Sequence, residues 1–141
     1  MTIKSNKIYL FKFTKLVNVG DGDDFTHPIY SDLSKCLDPG EDKYIGFTDN
    51  EDMFVRLSDY KVGLIAEIFS KYGFEFDIID VTESVIKGIT QKEYPEVEKL
   101  TPYMFEDFRY ENTSTDDVLD KINEMGIDSL DKIDKEILKN V

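Results

Sequence analysis

Residues 18–28 read Asn-Val-Gly-Asp-Gly-Asp-Asp-Phe-Thr-His-Pro and gather three aspartates and the only histidine of a 141-residue chain. Closely spaced carboxylates supply hard oxygen ligands, so Asp21, Asp23 and Asp24 are the candidate calcium ligands. The EF-hand spacing is not met. Counted from Asp21, the fifth position is Phe25, the sixth Thr26 and the twelfth Asp32. Another calcium geometry would have to draw on Asp49, Glu51 and Asp52 from a later loop. Gly and Asp tolerate the backbone angles of turns, so a solvated turn is the expectation for both stretches. Structural zinc needs four ligands, usually His and Cys, and the chain offers only His27 and Cys36.

Nucleophilic chemistry fares no better. A serine triad would need His27 as its base, and no Gly-x-Ser-x-Gly elbow is present. The glycines of Val19-Gly20-Asp21-Gly22 sit among acids, which suits a phosphate badly. Glu41-Asp42-Lys43 with Asp32 upstream has the acid-x-lysine spacing of metal-dependent nucleases, but such triplets arise often by chance. Thirty acids do not single out a pair for glycoside hydrolysis. The chain is therefore read as non-enzymatic, with no metal and no cofactor.

Charge is more informative. Seventeen bases against thirty acids give −13, and residues 1–20 hold four lysines and no acid. The other 121 residues carry 13 bases and 30 acids, or −17. Nucleic-acid binding relies on Lys and Arg neutralising phosphates, so direct DNA or RNA binding is disfavoured. A basic protein partner is favoured, because complementary fields speed encounter. A hydrophobic content of 40% with ten Phe and eight Tyr is ample for one folded domain. No apolar run is long enough to span a membrane, no signal-peptide pattern opens the chain, and Cys36 alone makes no internal disulfide. A cytoplasmic setting is expected, with Cys36 packed beside Leu33 and Leu37.

These groups must be positioned by the elements around them. Residues 7–13 alternate as a central strand, with Tyr9, Phe11 and Phe13 on one face and Ile8 and Leu10 on the other. A short helix over 29–37 follows. Residues 43–47 and 53–57 form a hairpin across Thr-Asp-Asn-Glu-Asp. Ser58 caps a helix over 59–72 that Gly73 ends. Residues 74–81 form a strand with one wet face, and Thr82 caps a short helix. The expected class is α+β: a small mixed sheet of about four strands with one main packing helix, over residues 1–90. Residues 91–115 are an acidic, aromatic connecting segment containing a short helix from Pro102 to Tyr110. Residues 116–141 are a C-terminal helical hairpin packed on or beside the core. Thr115 caps its first helix, whose apolar face is Val118, Leu119, Ile122 and Met125, and Asp131 caps the second over 132–139.

The segment Asp-Asp-Val-Leu-Asp-Lys-Ile-Asn-Glu-Met-Gly-Ile-Asp-Ser-Leu-Asp-Lys-Ile-Asp-Lys-Glu-Ile-Leu (116–138) resembles a tail found on many small bacterial and phage proteins. That tail has a leucine-rich helix with Asp-Lys-Ile, a glycine turn, Ser-Leu-Thr and an acidic final helix. Leu119, Asp120, Lys121, Ile122, Gly126, Ser129, Leu130, Lys135, Glu136 and Leu138 match it, and Asp131 stands where Thr is usual. The resemblance covers residues 116–139 alone. It implies a bacterial or phage origin and carries over no functional residue.

Aromatics among carboxylates can grip an Arg- and Lys-rich surface. The candidate partner-binding residues are Glu75, Asp77, Glu93, Glu96, Glu98, Tyr103, Glu106, Asp107, Tyr110 and Glu111. The expected function is an acidic protein-binding module, an inhibitor or immunity protein that neutralises a basic, nucleic-acid-handling protein. The alternative is a phage virion or assembly subunit that makes chain–chain contacts.

Overall fold

A computed structural model describes residues 6–20, 26–38, 45–47, 52–90 and 102–139, with the backbone alone for 45–47, Pro102 and Tyr103. Its class is α+β. Four elements of strand lie in the order β2 (Ile45–Phe47), β3 (Met53–Leu57), β1 (Lys7–Lys15) and β4 (Glu75–Asp80). Three of them, β1, β3 and β4, form the body of the sheet, and the three-residue β2 adds a short ladder on the edge of β3. The expectation of about four strands is met only by counting that ladder. The expected mixed sheet is corrected, because every pairing among the described residues is antiparallel. The reason is the insertion of β1 between β3 and β4. Both neighbours run against β1 and so run parallel to each other, joined by the helix α2 (Asp59–Lys71) rather than by direct pairing.

Partners in register share a face of the sheet. Tyr9, Phe11 and Phe13 align with Val55, Met53, Ile78 and Phe76. This face packs on α2 and on α1 (Pro28–Cys36), around Phe11, Ile29, Val62, Ile65, Phe69 and Phe74. Phe11 stacks on Phe76 at 5.4 Å, and Phe13 meets the Phe69 ring edge-on at 5.3 Å. The helix α2 starts where expected: the Ser58 hydroxyl accepts the Lys61 amide at 3.3 Å. It ends before Gly73, whose φ of +92° few other residues adopt.

The opposite face holds Ile8, Leu10 and Phe54, all fully buried. Their cover is a second layer made by α3 (Thr82–Lys87) and α4 (Pro102–Asn112), through Val85, Ile86, Met104, Phe105 and Phe108. The expectation of one main packing helix is thereby corrected. All five residues of β3 are buried, which requires helices on both sides. Residues 102–112 are therefore core as well as connection. Helix α5 (Thr115–Met125), a 3₁₀ turn (Ile127–Ser129) and α6 (Lys132–Lys139) complete this layer.

Local caps differ from expectation at two points. Ser114, not Thr115, caps α5: its hydroxyl accepts the Asp117 amide while the Asp117 carboxylate accepts the Ser114 amide. Thr82 is the first residue of α3 rather than its cap. Its hydroxyl accepts the Ile8 amide at 3.1 Å and so ties α3 to β1.

Candidate functional site

The segment expected to be an acidic interface folds as α4, and helical spacing sorts its residues into two faces. Met104, Phe105, Phe108, Arg109 and Asn112 are buried, whereas Glu106, Asp107, Tyr110 and Glu111 are exposed. Phe105 and Phe108 are thus core residues, edge-on to or layered near Phe54, and are unavailable as contact anchors.

The exposed residues differ in what they already do. The Glu111 carboxylate accepts a hydrogen bond from the Arg56 guanidinium, which lies 7% exposed on β3 with its carbon 5.1 Å from the centre of the Phe108 ring. A buried cation needs such a partner, so Glu111 serves the fold. The Tyr110 hydroxyl donates to Glu136, and that bond holds its proton above the ordinary tyrosine range. Glu106 and Asp107 are exposed on the outer side of α4. Glu75 and Asp77 are exposed on β4. Glu93, Glu96, Glu98, Asp21, Asp23 and Asp24 lie outside the described residues, as does the Tyr103 side chain.

What holds α4 in place was not legible in the sequence. Arg109, 6% exposed, forks onto the carboxylate of Asp131 at 2.6 and 3.0 Å and reaches Asp134 at 2.8 Å. Its Nε donates to the Ile86 carbonyl at 3.3 Å. Asp134, 1% exposed, also accepts from Lys121 at 2.5 Å. Asp131 and Asp134 cap α6 reciprocally, each carboxylate accepting the other's amide at 3.0–3.1 Å. Two arginine and lysine charges thus meet two carboxylates in a neutral clasp that joins α4, α5 and α6. Burial raises the Asp131 carboxyl, but the Arg109 hydrogen bonds and the Asp134 amide outweigh it and hold the group below its ordinary value. The Asp131-x-x-Asp134 spacing signals the cap of α6, but not the arginine and lysine that reach it.

The clasp also turns α5. Val118 and Lys121 are its buried positions, while Leu119 and Met125, expected inward, are 47% and 42% exposed.

His27, of the opening loop, and Cys36 and Asp32, of the helix after it, have structural roles. His27 is the N-cap of α1, its Nδ1 accepting the Ile29 amide at 3.1 Å. Cys36 packs half-buried against the cluster between α1 and α2. Asp32 accepts from the Tyr72 hydroxyl and from Lys71 at 3.3 Å, and both bonds, the first above all, lower its carboxyl. Among the described residues no three His, Cys, Asp or Glu side chains converge on one point. A cavity of about 710 Å³ opens between β1, α1 and α2, with Phe13, Val17, Leu33, Met53 and Phe69 in its walls. Its described lining has no carboxylate, histidine or lysine. Among the described residues no helix is long and apolar enough to cross a membrane.

No family model matches the chain, and the comparisons with curated proteins and with solved structures returned no match.

Proposed function

We propose that this protein is a non-catalytic binding module that engages and neutralises a basic, nucleic-acid-handling protein, in the manner of a small bacterial or phage inhibitor or immunity protein. The observation that carries this reading is the outer face of α4. Glu106 and Asp107 stand exposed on a helix whose back is fixed by the Phe105–Phe108 core and the Arg109 clasp. Preorganised carboxylates on a chain of net charge −13 favour rapid capture of a cationic surface.

A second reading, a virion or assembly subunit, draws on Leu119, Met125 and Ile127, which are 47%, 42% and 68% exposed on the C-terminal hairpin. Such an apolar contact would persist in salt. Immobilised protein is presented with bacterial lysate at low and high ionic strength, and captured chains are identified by mass spectrometry. The inhibitor reading expects a basic protein that is lost at high salt and lost on Glu106→Lys with Asp107→Lys. Capture indifferent to salt and to both reversals, or recovery of its own copies alone, would exclude it.

A further inference from the structure

The strand β4 ends the sheet, and no described strand pairs with its outer side. The Val81 amide donates to the Ile8 carbonyl at 3.0 Å, one step beyond the pair Tyr9↔Asp80. Hydrogen-bonded pairs alternate along an antiparallel ladder. Ile79 and Asp77 therefore direct their backbone groups to β1, and Phe76, Ile78 and Asp80 direct theirs to the open edge. The side chains along this edge are exposed too: Ile78 by 40%, Ile79 by 37%, and Glu75, Asp77 and Asp80 around them. Isoleucines that stand out of an edge strand expose apolar surface and unpaired backbone together, a template for strand addition.

Charge decides what can add there. Asp77 and Glu75 stand opposite Lys12 and Lys15 of β1. A strand on the other side with cations at the same positions would place each acid between two cations. A second copy is disfavoured. A copy would bring a second Glu75, Asp77 and Asp80, and a further −13, against these acids. Resting on the reading of a basic partner, we propose that β4 accepts an extended segment of that partner as an additional strand. The segment has basic residues opposite Glu75, Asp77 and Asp80, and apolar residues opposite Phe76, Ile78 and Ile79.

Two probe peptides test this with the full chain: Lys-Val-Lys-Val-Val-Lys flanked by glycines, and the same sequence reversed, for the two strand directions. Binding is followed by amide NMR shifts and hydrogen exchange. One peptide is expected to shift amides 75–80 and to slow exchange at Phe76, Ile78 and Asp80 by about tenfold or more. Ile78→Pro removes an outward N–H while sparing the bonds to β1, and it should weaken binding by about tenfold or more. Asp77→Lys, which leaves every backbone group in place, should do the same, with unchanged circular dichroism as the folding control. Shifts confined to the outer face of α4 would overturn the proposal and keep the basic-partner reading. Equal binding of a peptide with Glu in place of Lys would overturn it, as would edge protection without peptide or no shift with either probe.

Discussion

Asp134→Asn would strip the charge from a 1% exposed carboxylate and keep its size. Lys121, 3% exposed, would lose its anion at 2.5 Å, while Arg109 would keep its fork onto Asp131. Breaking a buried pair by removing one partner leaves an uncompensated charge and costs about 3–5 kcal/mol. Lys121→Met is milder, because Asp134 retains Arg109 and the Asp131 amide as donors, and about 1–2 kcal/mol is expected. In the double variant the stranded cation is gone, so the loss should return to about 1–2 kcal/mol, a coupling of about 2 kcal/mol or more. Urea unfolding followed by circular dichroism reads this directly. With a slope of about 1–3 kcal/mol per molar urea, the midpoint of Asp134→Asn should fall by about 1–5 M, with little change in slope. A double variant as unstable as the sum of the singles, within about 0.5 kcal/mol, would refute the clasp as the attachment of the C-terminal hairpin.

Three further outcomes follow from local geometry. Gly88 has a φ of +72°, and a Cβ there would come 2.6 Å from Asp131 Oδ2 and 3.0 Å from Arg109 Nη1. Gly88→Ala should therefore cost more than the about 1–2 kcal/mol of the left-handed backbone alone, read as a lower Tm, whereas Gly63→Ala inside α2, with nothing within 4 Å, should stabilise by about 0.5–1 kcal/mol. Asp131 and Asp32 both titrate below their ordinary value in the folded chain, so the unfolded chain binds more protons. Their contribution is complete above about pH 4 and is lost as pH falls through the folded values. Thermal melts from pH 6 to about pH 2.5 should show a smaller acid loss for Asp131→Asn than for the parent chain, and parallel curves would contradict the assignment.

Features that depend on neighbours in sequence were legible in the sequence. The apolar stripe and Ser58 cap of α2, the two-faced burial of β1 and the Gly73 stop follow from periodicity and capping, which act within a turn or two. Asp131 as a cap was equally readable, since its partner lies three residues away. The second helical layer was not, because nothing local tells whether Phe105 and Phe108 meet solvent, a partner or Phe54, about fifty residues earlier in the chain. The same holds for the site. Exposure of Glu106 and Asp107 rests on packing of α4 against Phe54, and commitment of Glu111 to Arg56 and burial of Lys121 rest on charges brought together across β3, α4, α5 and α6. Composition alone determined that the chain is acidic and core-rich. Which acids face outward was decided by the tertiary structure, because a buried cation takes its counter-charge wherever packing brings one within reach.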